Sequence, residues 1–142
     1  MAFHNCSRLS YCYVSNRTLH SIDNGYGEVH QLIVNNNETE IKLGVAGISK
    51  ASNSTVTSIG SNAFNYCTKL TDVSFQNATT IGYGAFDGCT SLTTVTFPSA
   101  TTIGGYAFYG CSNLTTASFQ NATTIGSNAF YTCRNLTTAI FP

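Results

Sequence analysis

Six cysteines, three histidines and six carboxylates are the side chains here best equipped for metal or acid–base chemistry, and their spacing limits what they can do. Cys67, Cys89, Cys111 and Cys133 recur every 22 residues and so fall at one position of a repeating unit. A buried thiol in such a ladder packs as a small apolar side chain. Side chains aligned on adjacent rungs rarely offer the ~90° dihedral that a disulfide requires. His4-x-Cys6 with Cys12 nearby is a poor zinc set, because no second close pair completes four ligands. His4, His20 and His30 have no nucleophile or carboxylate placed to form a catalytic constellation and read as surface histidines. The acidic residues are Asp23, Glu28, Glu38, Glu40, Asp72 and Asp87. Asp72 and Asp87 occupy different positions of the repeat, so they do not form the close pair of glycoside chemistry. G-x-S-x-G, H-E-x-x-H and P-loop motifs are absent from the sequence. The sequence therefore predicts a non-enzyme with no metal and no cofactor.

Composition narrows the partners. The 142 residues make one domain's worth of chain, with zero net charge and 8% charged residues, against a typical share of about 25%. In their place stand 21 Thr, 15 Ser and 14 Asn. Nucleic acid is excluded as a partner, since its binding needs Lys and Arg to neutralise phosphates. An apolar share of 42% argues against a disordered tail. No apolar run reaches the ~18 residues of a membrane span, so membrane insertion is not expected, and no leader segment is visible. Eight Asn-x-Ser/Thr sequons, at Asn5, Asn16, Asn37, Asn53, Asn77, Asn113, Asn121 and Asn135, follow from a composition rich in Asn and Thr.

The elements that position these residues come from a repeat. Residues 59–80, IGSNAFNYCTKLTDVSFQNATT, return as 81–102, as 103–124 and, cut short, as 125–142, with eleven columns identical in every copy that contains them. Leu70-x-x-Val73-x-Phe75 has the spacing of a short strand entered through a bend, with Val73 and Phe75 inward and Asp72, Ser74 and Gln76 outward. Ile59-Gly60 marks a corner. Ala63-Phe64-x-x-Cys67 predicts a compact 3₁₀ or single helical turn with Phe64 and Cys67 on one face. Such units stack through parallel strands ~4.8 Å apart, which aligns identical residues into ladders such as Phe64, Phe86, Phe108 and Phe130. The same strand template fits Leu9-x-x-Cys12-x-Val14, Val29-x-x-Leu32-x-Val34 and Ile48-x-x-Ala51-x-Asn53. The expected architecture is one continuous repeat solenoid, a right-handed coil of short parallel β-strands with about seven coils. Residues 1–47 form its irregular coils, with a turn or hairpin near 19–34 around Asp23–Gly27, and 48–142 its regular ones.

The unit I-G-x-x-A-F-x-x-C-x-x-L-x-x-V-x-F-P resembles the BspA-type leucine-rich repeat of bacterial surface proteins. It departs from the usual family unit in being one residue shorter after Pro98 and in placing Ala where the next apolar position usually holds Val. The resemblance covers 59–142 closely and 1–58 through strand spacing. It implies a leucine-rich-repeat solenoid, an extracellular or cell- or particle-surface location, and a binding or adhesion role without naming a ligand.

Two surfaces are candidates for that role. The strand face presents Asp72, Ser74 and Gln76, then Thr94 and Thr96, then Thr116, Ser118 and Gln120, then Thr138, an uncharged hydroxyl-rich plane. The turn edge varies between copies where the core does not, and carries Tyr66, Tyr83, Asp87, Tyr106, Tyr109 and Tyr131. Tyr, Ser, Gly and Asn are the residues of antibody paratopes, where tyrosine gives rigid amphipathic contact. The leading expectation is a module that binds a protein or glycan on a host or neighbouring surface. The alternative is a structural subunit: the chain opens at Ala2-Phe3 within a turn motif and closes after a strand at Phe141-Pro142. Uncapped ends of complementary phase would self-associate head to tail into a filament or particle.

Overall fold

A chain that repeats every 22 positions satisfies its backbone by pairing each copy with the next, in parallel and in register. The computed structural model shows this arrangement. It describes residues 49–142 in full and, before them, three backbone strands. One face is built from β1 (Tyr11–Val14), β2 (Gln31–Val34), β4 (Lys50–Ser52), β6 (Asp72–Ser74), β8 (Thr94–Thr96), β10 (Thr116–Ser118) and β12 (Thr138–Ile140). The other has the two-residue strands β3 (Glu40–Ile41), β5 (Ser58–Ile59), β7 (Thr80–Ile81), β9 (Thr102–Ile103) and β11 (Thr124–Ile125). The first face runs as two ladders, β1-β2-β4-β6 and β8-β10-β12, lying side by side. The second runs as one, β3-β5-β7-β9-β11. Every pairing is parallel.

The register follows the strand template. Leu32 pairs with Cys12 and Ala51, Ala51 pairs with Val73, and Val95 pairs with Ala117. Against the expected seven coils, the described residues complete about four turns, 59–142, with strands of the same parallel series before them. The Asp23–Gly27 turn and the side chains of residues 1–48 lie outside the described residues.

Two phenylalanine ladders fill the axis. Phe64, Phe86, Phe108 and Phe130 stack at 5.1, 5.2 and 5.3 Å between ring centroids. Phe75, Phe97, Phe119 and Phe141 stack at 6.4, 5.8 and 5.8 Å. Leu70, Leu92 and Leu114 and Ile59, Ile81 and Ile103 line the remaining walls, all fully buried. One coil buries little alone, so each ladder exists only because its neighbours are present.

The compact turn departs from the expected 3₁₀ or helical form, and no helix is found among the described residues. Ala63, Asn65 and Cys67 each donate N–H to the carbonyl three residues back. The intervening Asn62, Phe64 and Tyr66 donate instead to Tyr83, Ala85 and Asp87 of the next coil. Positive φ recurs at every fourth residue of the turn, at Asn62 and Tyr66, Gly84 and Gly88, Tyr106 and Gly110, Asn128 and Thr132. These left-handed residues interrupt the local helix and aim alternate N–H groups along the solenoid axis, so the turn joins the inter-coil ladder. At the corner, Gly60, Gly82, Gly104 and Gly126 stack backbone on backbone: a Cβ on Gly104 would lie 2.6 Å from the carbonyl carbon of Gly82.

Candidate functional site

The invariant columns are occupied by the fold itself. Thr79, Thr101 and Thr123 donate Oγ1 to the carbonyl 22 residues earlier, at 3.1, 3.2 and 3.2 Å. Thr71, Thr115 and Thr137 do the same. Three sequon asparagines, Asn77, Asn113 and Asn121, donate Nδ2 to carbonyls 23 residues earlier. These inter-coil side-chain bonds were missed in the sequence, where threonine reads as a strand former; its invariance at two columns of each unit was the available signal.

The cysteine ladder is structural. Cys67, Cys89 and Cys111 are buried thiols and Cys133 is half-buried. The Sγ of Cys89, Cys111 and Cys133 donates to the carbonyl of Phe64, Phe86 and Phe108. Burial raises the Cys67 thiol from 9.0 to about 12 and Cys133 to about 11, and holds Cys89 and Cys111 well above the usual range. These are poor nucleophiles and poor metal ligands. No group of three His, Cys, Asp or Glu side chains forms a metal cluster among the described residues. His4, Cys6, His20 and His30 lie outside them, as do the side chain of Cys12 and the Ala2-Phe3 end of the expected head-to-tail association.

On the strand face, Asp72, Ser74, Gln76, Thr94, Thr96, Gln120 and Thr138 are exposed and Thr116 is half-buried. Asp72 accepts a hydrogen bond from the Thr71 hydroxyl, and Gln76 donates to Ser74. Ser118 corrects the expected plane. It is only 9% exposed, because its short side chain stands in register between the longer Thr96 and Ile140.

The turn edge gathers the tyrosines. Tyr83 and Tyr106 lie 5.4 Å apart between centroids, Tyr106 and Tyr109 5.4 Å, and Tyr109 and Tyr131 5.6 Å, a continuous run across three coils. Tyr83 and Tyr131 are 54% and 58% exposed. Asn128 donates Nδ2 to the Tyr106 hydroxyl at 2.9 Å. Tyr66, 65% exposed, stands apart from the run with its ring over Gly88. A Cβ on Gly88 would fall 2.6 Å from that ring, and one on Gly105 would fall 3.5 Å from the Tyr83 ring. Gly88 thus makes room for the Tyr66 ring of the preceding coil, whereas the Gly105 approach to Tyr83 is ordinary van der Waals contact. Tyr66 and Tyr106 themselves hold φ of 54° and 58°, a conformation costing a bulky residue about 1–2 kcal/mol. The half-buried Asp87 lies among them, its carboxyl raised by burial.

Comparisons with known proteins agree with this architecture. The T. pallidum leucine-rich repeat protein TpLRR matches with a TM-score of 0.73 and 26% identity, over 80% of this chain and 59% of that one. A leucine-rich repeat protein from Bacteroides ovatus matches with a TM-score of 0.68 and 26% identity, over 93% of this chain and 33% of that one. A leucine-rich cell surface protein from Faecalibacterium prausnitzii has the same fold, with a TM-score of 0.60 and 23% identity, over 93% of this chain and 32% of that one. The chain therefore spans 59% or less of the length of these three solved relatives. No curated protein matches the sequence. No helix among the described residues is long and apolar enough to cross a membrane. The family model described as BspA type Leucine rich repeat region matches residues 48–142 in six copies, and the chain belongs to that family of leucine-rich repeat proteins.

Proposed function

We propose that the chain is a non-catalytic recognition module, displayed on a cell or particle surface, that docks on a protein or glycan of a host or neighbouring surface through its turn edge. The observation that carries this reading is the run Tyr83, Tyr106, Tyr109 and Tyr131, packed ring to ring across three coils, with Tyr106 held at a left-handed φ of 58°. Left-handed non-glycine residues persist where surrounding structure over-determines them, and they cluster at ligand-contacting sites. Rings already fixed lose little entropy on binding. The strand face is the weaker candidate: Ser118 is covered, and Asp72, Ser74 and Gln76 are engaged with their own chain.

Arrays of glycans and of host surface proteins, probed with the purified chain, test the proposal. Alanine at Tyr106, Tyr109 and Tyr131 together is expected to weaken the best ligand by about tenfold or more. Alanine at Thr94 and Thr116 is expected to leave it unchanged. Equal affinity of the triple tyrosine variant overturns the assignment.

A further inference from the structure

We propose that the turn edge holds a seat for an organic cation, a lysine or arginine side chain of a partner protein, at Asp87 between Asn65 and Tyr109. This rests on the recognition reading above and names the chemistry of its ligand. Asn65, Asp87, Tyr109 and Tyr131 occupy one column of successive coils. Asp87 is the sole charged residue in the four variable columns that precede the cysteine of each regular coil; Lys69 and Arg134 follow that cysteine. Asp87 is half-buried, its side chain has no hydrogen bond or ion pair among the described residues, and burial raises its carboxyl. Its column neighbour Asn65 carries the one buried side-chain oxygen among the described residues that lacks a hydrogen-bond donor. A solvent-facing carboxylate and an unsatisfied amide oxygen thus belong to adjacent coils, whose backbones stack ~4.8 Å apart.

Their complement is a group rich in donors and positively charged. An ammonium brings three N–H donors and a guanidinium five, and both brought to a carboxylate make charge-assisted bonds. The aromatic neighbours favour the same class. Tyr131 covers one side of Tyr109 at 5.6 Å, and the column neighbour on its other side is Asp87. A cation seated at the carboxylate would therefore have a tyrosine one coil away, and a tyrosine face attracts cations within ~6 Å. A divalent metal fits worse, since calcium takes about six to eight oxygens and this column supplies a carboxylate and one amide oxygen. A neutral polyol would leave the carboxylate without a counter-charge.

The test is a titration of the ¹⁵N-labelled chain with Nα-acetyl-lysine amide, Nα-acetyl-arginine amide and, as neutral control, Nα-acetyl-glutamine amide. The expected result is saturable shifts at Asp87, Asn65 and Tyr109 with the two cations and none with the control. Asp87→Asn keeps the shape and removes the charge, and is expected to weaken cation binding about tenfold or more. Tyr109→Phe keeps the ring and is expected to bind within about twofold of wild type. Indistinguishable responses to cation and control, or undiminished cation binding by Asp87→Asn, overturn the proposal. Protected Asn65 side-chain amide protons in the free chain also overturn it, because they show the amide donating to Asp87. An array ligand that depends on the tyrosines while Asp87→Asn binds it normally would leave the recognition module standing and remove only the cation seat.

Discussion

The thiol of Cys89 donates to the carbonyl of Phe64, 25 residues earlier and one coil back, at 3.0 Å. That carbonyl also accepts the backbone N–H of Cys67, so both lone pairs are used. Cysteine suits the column because it is small, apolar and still able to donate. Its neutral form is the one the fold holds: burial keeps Cys67, Cys89 and Cys111 protonated well above 9.0. The unfolded chain loses those protons from about pH 8.5 upward. Above that point the folded state binds more protons than the unfolded one, so stability is full at neutral pH and falls as pH rises toward about 12, the folded value of Cys67. Urea unfolding between about pH 8 and 10.5 is expected to show a loss approaching ~1.4 kcal/mol per pH unit for each buried thiol. Cys89→Ala should flatten that slope. A midpoint that does not move with pH would contradict this account of the ladder.

The corner and turn glycines are expected to separate by mechanism. Gly104→Ala places a Cβ 2.6 Å from both the Gly82 carbonyl carbon and the Tyr83 nitrogen, and backbone cannot yield as a side chain can. Its cost should reach about 3 kcal/mol or more. Gly110→Ala meets nothing nearer than 3.8 Å but sits at φ +68°, so its cost is the left-handed strain alone, about 1–2 kcal/mol. Denaturant midpoints of the two variants check the order, and a reversal would show that close coil approach is not what fixes the corner.

Phe97 meets four other rings, as do Phe108 and Phe119. It stacks on Phe75 and Phe119 at 6.4 and 5.8 Å and meets Phe86 and Phe108 at 5.8 and 6.2 Å. Phe97→Ala is expected to cost about 3–5 kcal/mol and to loosen the coils on both sides. Phe141 is half-buried and meets only Phe119 and Phe130. Its alanine variant should cost less than half as much, with lost hydrogen-exchange protection confined to the final coil.

The sequence made the axis of the molecule legible because identical residues at a fixed period must stack: the phenylalanine, leucine and cysteine ladders are that arithmetic made physical. The register of β2 and β4 was also readable, since Leu32 and Ala51 kept the strand template despite irregular spacing. The left-handed turn residues were not. Their columns hold Asn, Gly, Tyr and Asn, and Tyr, Gly, Gly and Thr, and Tyr106, Tyr66 and Thr132 disguise a pattern that glycine and asparagine alone would have announced. Ser118 was misread because alternation gives the direction of a side chain and says nothing of taller neighbours in register.

The same turn columns supply the last prediction. Thr132 is β-branched at φ 60°, and replacing it with glycine removes left-handed strain of about 1–2 kcal/mol while adding an entropy cost of about 0.5–1 kcal/mol. Thr132→Gly should therefore raise stability by about 0.5–1 kcal/mol in urea unfolding. Tyr106→Gly relieves the same strain but also removes ring contacts with Tyr83 and Tyr109 and the hydroxyl that accepts from Asn128. Such aromatic contacts are worth about 0.5–1.5 kcal/mol each, so, after the net strain relief of about 0.5–1 kcal/mol, the variant should lose only about 1 kcal/mol of stability while losing ligand binding on the arrays. That combination, little change in stability with loss of recognition, is what a residue strained for contact predicts. If Tyr106→Gly instead costs more than about 2 kcal/mol, the tyrosine run acts as a packing staple between coils and the turn edge loses its claim as the binding surface.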